Sequence, residues 1–163
     1  MANEAIKDSK NTYTQEGYQK LLDELSERKT KITAEITQRL AEARAQGDLS
    51  ENSEYDDAKD AQAKNEARIK EIEAILKDAD VLSDDEISKT KISLGSTFDL
   101  RDEETKEVET YVLVNANEED IFENRLSKDS PLGVAILGKK KGNVVEVSTN
   151  AGTFKYKIMK IGK

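Results

Sequence analysis

Cysteine is absent from the sequence, and so is histidine. The first absence excludes a disulfide framework, a thiolate metal site and a cysteine nucleophile. The second removes Ser-His and Cys-His catalysis and imidazole-bound zinc. Tryptophan is also missing, Pro occurs once, and aromatic residues make up 5% of the chain. So few aromatics leave little to line an apolar substrate pocket. No apolar run approaches the length of a membrane span, and the N-terminus lacks a signal-peptide core, so a soluble cytoplasmic protein is expected. What the chain has in quantity is charge: 37% charged residues against 36% hydrophobic, over 163 residues. That balance favours long solvated helices and one modest core over a single large globule, and the length fits one or two small domains. The net charge of -8 argues against tight, non-specific binding to a nucleic-acid backbone.

Residues 1–12 are polar and unpatterned and read as a flexible tail. Thr14 is a candidate N-cap, with Tyr13 placed to staple against Tyr18, while Gly17 blurs the helix start. From there Tyr18, Leu21, Leu22, Leu25, Ile32, Ile36, Leu40 and Ala43 keep one helix face apolar. Tyr55, Ala58, Gln62, Asn65, Ile69, Ile72, Leu76 and Ala79 then alternate strictly by three and four. Two such stripes joined by a short turn predict an antiparallel coiled-coil hairpin over residues 13–80, with its tip at 47–55. The seam is graded, aliphatic toward the base and Ala, Gln and Asn toward the tip.

The helical pattern ends in an acidic stretch, and residues 81–90 read as a linker to a C-terminal globular domain over 91–163. There the period changes to that of strands. Lys91 to Leu100 and Val108 to Val114 flank a turn at Asp102–Thr105, and Val144 to Thr149 and Thr153 to Ile161 flank one at Asn150–Gly152. Ser130-Pro131 is a helix start, an N-cap followed by Pro at the first helical position, and Gly138 is placed to end that short helix. Residues 115–125 carry no assignable pattern. The fold class expected is α+β: a long helical hairpin followed by a small antiparallel sheet with one helix packed on it.

The tip holds the residues with chemical interest. In Gly47-Asp48-Leu49-Ser50-Glu51-Asn52-Ser53-Glu54-Tyr55, Gly47 is suited to end the first helix, and Ser50, Asn52 and Ser53 are all N-cap types among which the pattern does not choose. Asp48, Glu51 and Glu54 follow at steps of three. Such acids suit a solvated turn beside a helix N-terminus, and equally a hard-oxygen cluster for a divalent cation such as magnesium. Two carboxylates alone make a poor magnesium site, since the ion takes six oxygens, so any such site needs ligands from another molecule. Arg44 and Lys59 flank the tip, where they either balance neighbouring acids or form a weak basic patch.

The tip segment Gly-Asp-Leu-x-Glu-Asn-x-Glu-Tyr, followed by Ala58, resembles the signature of the bacterial Gre family of transcription elongation factors. Ser130-Pro131-Leu132-Gly133 through Lys139-Lys140 is similar to the pattern of that family's C-terminal domain. Together the two motifs span the chain from about Thr14 onward. The resemblance implies a C-terminal domain like FK506-binding proteins that docks at the rim of the RNA polymerase secondary channel through Ser130, Pro131, Leu132 and Gly133. It implies a hairpin that enters the channel, where Asp48 and Glu51 match the family's two essential acids. There they help hold a magnesium ion jointly with the polymerase, which cleaves its own backtracked transcript. The chain is then a monomeric activator with no active site of its own. Arg44 and Lys59 would lie near the RNA 3′ segment, with Lys where Arg is familiar, so a bidentate phosphate contact is in question there. The weak basic patch and acidic balance resemble the GreA branch. An inhibitory channel-binding paralogue would lack the acidic tip, and a coiled-coil holdase would expose more apolar surface there than Leu49 and Tyr55. Isomerase activity would rest on fold analogy alone.

Overall fold

The computed structural model describes residues 11–47 and 52–162. The tail up to residue 10 and the tip acids Asp48 and Glu51 lie outside the described residues. The chain divides into two compact units: Tyr18–Ala79, and the described residues through Gly17 together with those from Asp80 onward.

In the helical unit, α1 (Gln15–Glu27) and α2 (Thr33–Ala45) are joined by one wide π turn, Arg28–Ile32. The returning arm is α3, Ser53–Asp78, which at 1.5 Å per residue is about 39 Å long. The arms run antiparallel, because partners pair in opposite order: Glu24 with Arg68, Thr33 with Asn65, Ala43 with Asn52. Toward the tip Ile36, Leu40 and Ala58 are buried together, with Ile32, Tyr55 and Ala61 against them; further back Leu21 and Ile72 are buried. The π turn has a cause in the spacing. Leu21, Leu25, Arg28, Ile32, Ile36, Leu40 and Ala43 step by four, three, four, four, four and three, one residue more than strict alternation allows, whereas α3 keeps strict alternation. A π turn closes i to i+5 and absorbs that extra residue without moving the later apolar positions off the seam.

Glu24 anchors this arm to α3. Its hydrogen bonds with Arg68, against the opposing effect of burial and with help from Arg28, hold the pKa of its carboxyl at about 2, down from an ordinary value of 4.5. A depressed carboxylate stabilises fully above its unfolded pKa, so this contribution fades as pH falls from about 4.5 towards 2.

The second unit is built on a five-stranded sheet. In chain order its strands are β3 (Thr97–Asp102), β4 (Val108–Val114), β5 (Arg125–Ser127), β6 (Val144–Thr149) and β7 (Gly152–Gly162). Their spatial order is β5-β4-β3-β7-β6. Both expected hairpins are present, β3 with β4 and β6 with β7, and β3 pairs antiparallel with β7 across a register shift at Asp99/Leu100. The sheet departs from antiparallel at one edge, where β5 runs parallel to β4. Alternating residues Phe98, Leu100, Leu113, Val145 and Ile158 form the core, closed by Ile136 of the short helix α4 (Pro131–Ile136). The strand expected from Lys91 begins at Thr97, because Ser93–Ser96 forms a turn in which Ser96 N–H donates to the Ser93 carbonyl at 2.9 Å.

The unit boundaries differ from those the pattern suggests. Thr12–Tyr13 forms a strand, β1, paired parallel with β2, Asp80–Val81. Leu82 is buried, and Ser83 starts a helical turn at Asp84–Glu86, so residues 81–90 carry structure of the globular unit rather than a linker. Thr14 does cap α1, accepting from Gly17 N–H at 3.0 Å. Tyr13 is buried, and its hydroxyl accepts from the Asn117 amide at 2.8 Å. Partners a hundred residues distant leave no trace in local periodicity, which is why residue 12 reads as tail and residues 13–17 as hairpin. No described helix is long and apolar enough to cross a membrane.

Candidate functional site

The tip is framed by two helix ends. Helix α2 closes as Gly47 N–H donates to the Arg44 carbonyl at 3.3 Å, and Gly47 takes φ +110, a value open to glycine and strained for other residues. Asn52 begins the return. Its Oδ1 accepts from Tyr55 N–H at 3.2 Å, the N-cap bond of α3, and its Nδ2 donates to the Ala43 carbonyl at 2.6 Å. One side chain thus satisfies an orphan donor of α3 and adds a second donor to a carbonyl in the last turn of α2, which also accepts from Gln46 N–H. Of the three N-cap types at the tip, Asn52 does the capping. Glu54 and Asp56 add negative charge to the first turn of α3, where the helix dipole favours it.

Arg44 lies with its guanidinium 5.8 Å from the centre of the Tyr55 ring, within cation–π range, and so is held beside the tip on the α2 side. Lys59, one turn beyond Tyr55, is exposed and donates to Gln62 Oε1 at 3.2 Å. The structure therefore brings Arg44 and Tyr55 together and sets Lys59 further along α3. Asp48 and Glu51 belong to the four residues between Gly47 and Asn52, outside the described residues. Among the described residues no group of three acidic side chains is placed to hold a metal ion. The donor chemistry of Asp48 and Glu51, two carboxylates, fits a hard cation such as magnesium whose remaining ligands come from elsewhere.

The other expected site, in the globular unit, splits into inward and outward residues. Ser130 Oγ accepts from Gly133 N–H at 3.0 Å and donates to the Ser127 carbonyl at 2.7 Å, fixing the first turn of α4. Leu132 packs against the core, and Gly133 is buried where a Cβ would stand 2.0 Å from the Ser127 carbonyl oxygen. Pro131 and Val134 face outward. Gly138 at φ +78 ends the run, donating to the Ile92 carbonyl at 2.7 Å. Gly133→Ala should therefore cost about 3 kcal/mol by overpacking against backbone that cannot retreat, read by chemical denaturation. Pro131→Ala should leave the denaturation midpoint near that of the parent. Equal midpoints for the parent and Gly133→Ala would show that the close approach is not what keeps glycine there.

Sequence reasoning passed over residues 115–125, where the structure places a buried ion pair. Glu118 and Arg125, with side chains 2% and 5% exposed, meet at 3.0 Å. Glu118 also receives Thr14 Oγ1–H at 2.5 Å and the N–H groups of Thr14 and Asn115 at 3.3 Å. A Glu and an Arg seven residues apart in a polar stretch carry no signal of mutual burial. The turn between them presents Ile121 at 82% and Phe122 at 101% exposure.

The chain is similar to known proteins along both units. Residues 11–81 match the family described as "Transcription elongation factor, N-terminal", and residues 87–163 match "Transcription elongation factor, GreA/GreB, C-term". A protein named transcription elongation factor GreA from Thermoanaerobacter pseudethanolicus is 46% identical over 150 residues, covering 92% of this chain and 96% of that one. A protein of the same name from Lachnoclostridium phytofermentans is 41% identical over 156 residues, covering 96% and 98%. Among solved structures, GreA factor homolog 1 of Thermus thermophilus is 29% identical over 93% of this chain and 98% of that one, with a TM-score of 0.42.

Proposed function

The chain belongs to the GreA/GreB family of transcription elongation factors, which act on RNA polymerase, and from that membership we propose a mechanism centred on the hairpin tip. The chain stimulates the polymerase's own cleavage of RNA and is not itself an enzyme. In this reading the tip enters the secondary channel and meets the 3′ segment of a backtracked transcript. Asp48 and Glu51 would contribute carboxylate oxygens to a magnesium site completed by the polymerase. Two such ions together would supply the chemistry of phosphodiester hydrolysis, one activating water and the other stabilising the leaving oxygen. The carboxylates orient that water, and Arg44, held over Tyr55, offers its guanidinium to the RNA backbone, with Lys59 adding a weaker charge. Docking uses the outward side of the Ser130–Val134 corner. The protein works as a monomer in the cytoplasm.

The observation that carries this reading is Asn52. Because Asn52 caps α3 and ties down Ala43, the capping duty that would otherwise explain acids in this turn is already filled. Asp48 and Glu51 are therefore not needed as the cap of α3, which supports a chemical role for them over a capping one. The test is transcript cleavage in stalled, backtracked elongation complexes with and without the chain. A rise in cleavage rate that saturates with added protein supports the reading; no rise at saturation overturns it.

A further inference from the structure

Between its two apolar stretches the hairpin carries one polar layer. Asn65 is only 5% exposed in the middle of the seam. Its Nδ2 donates to the Arg28 carbonyl at 3.2 Å and to Thr33 Oγ1 at 3.1 Å, and its Oδ1 accepts from the Arg28 guanidinium at 3.3 Å. Arg28 Nε in turn donates to Glu24 at 2.7 Å, and both oxygens of Glu24 are held by Arg68 at 2.9 Å. The Arg28 carbonyl belongs to the π turn: it accepts the backbone N–H of Thr33, five residues on, and Thr33 Oγ1–H at 2.6 Å. Asn65 therefore bonds both ends of the one turn that absorbs the extra residue of the first arm.

That placement matters because an extra residue can be absorbed at more than one point along a helix. Relaxing the π turn to α geometry would rotate everything beyond it by about 100° and shift it by about 1.5 Å relative to α3. Apolar contacts select the position weakly, since Ile32, Ile36 and Leu40 all step by four and each neighbouring turn offers a similar seam. An amide that needs the Arg28 carbonyl and the Thr33 hydroxyl as acceptors selects it sharply. A buried Asn costs stability relative to an aliphatic residue, and its use in coiled coils is to specify register.

We propose that Asn65 is a positioning residue: by locking the Arg28–Ile32 π turn it fixes the register of the two arms, and so where the hairpin presents Asp48 and Glu51. The functional half of this inference rests on the tip mechanism above; the register half stands without it.

The chain contains no native cysteine, so spin labels at Ala41→Cys and Ala63→Cys, both exposed on α2 and α3, report only the spacing of the arms. With Asn65 intact a single narrow distance is expected. In Asn65→Leu the distribution should broaden or shift by roughly 1.5–5 Å, one residue's rise to one turn, while the melting temperature stays level or rises. Cleavage at saturating factor should fall about tenfold or more, as small misplacements of reacting groups do, with the half-saturating concentration unchanged. Thr33→Val, which removes one acceptor and leaves the Arg28 carbonyl, should show the same changes at smaller size. A merely structural Asn65 predicts the reverse, with lower melting temperature and parental cleavage once the protein is saturating. An unchanged distance distribution in both variants overturns the register lock. A shifted distance with parental cleavage overturns the positioning role. Failure of the unsubstituted chain to stimulate cleavage would count against the tip mechanism, and the distance measurement would still decide the register.

Discussion

Asp48→Ala and Glu51→Ala are each expected to lower stimulated cleavage by on the order of 10²-fold or more, since each removes an interaction made as charge develops in the transition state. Asp48→Asn should fail nearly as badly as Ala, because an amide keeps the shape and loses the charge a magnesium ion needs. Raising magnesium should recover part of the lost rate, since weakened binding is offset by mass action. Binding to polymerase should survive in each variant. Folding should survive too, with stability changed by no more than about 0.5 kcal/mol, because the N-cap of α3 is Asn52. Asn52→Ala supplies the contrast: it should cost about 1 kcal/mol of hairpin stability through the lost cap. Tip variants that cleave at the parental rate under limiting magnesium would end the proposal that these carboxylates serve the ion.

The parts of this protein legible in its sequence are those set by local periodicity and local capping. The apolar stripe of α3, the Ser130-Pro131 start of α4 and both β-hairpins follow from spacing, and the structure places them within a few residues of expectation. The site motifs were legible as motifs, but not in the division of labour within them. In Ser130–Gly133 the small residues proved to serve the fold, and only burial distinguishes Pro131 from its neighbours. Asn52 stood among three equivalent candidates until its amide was seen to reach the Ala43 carbonyl. The π turn was written in the sequence as three successive steps of four, but a stripe judged only by whether it stays apolar hides a one-residue surplus. Least legible was the seating of residues 12–17 against 115–125, because polar groups paired across about a hundred positions leave no periodic mark.

That seating gives the second large effect. Glu118→Ala should destabilise the globular unit by about 3–5 kcal/mol, the cost of removing one partner from a buried ion pair. Without the carboxylate, Arg125 keeps Glu16 at 3.1 Å, but that Glu side chain is largely exposed and compensates little. The Thr14 and Asn115 groups that pointed at Glu118 lose their acceptor as well. Glu118→Gln should cost less, since an amide oxygen still accepts while the charge is lost. The sharper test uses Gly17, where an added Cβ would stand 1.6 Å from Glu118 Oε1. In the parent, Gly17→Ala should be destabilising, because the carboxylate it displaces is pinned by Thr14 and Arg125. In the Glu118→Ala background the same change should be neutral or gain up to about 1 kcal/mol, because the obstructing atoms are gone and Ala is the better helix former. The two substitutions should therefore be strongly non-additive, with an interaction energy in the range of about 0.5–3 kcal/mol seen for residues in contact. Denaturation of the four proteins, followed by the circular dichroism of the sheet, measures it. Additive losses would show that Gly17 owes its identity to the helix start alone and that the Glu118 carboxylate does not hold this segment in place.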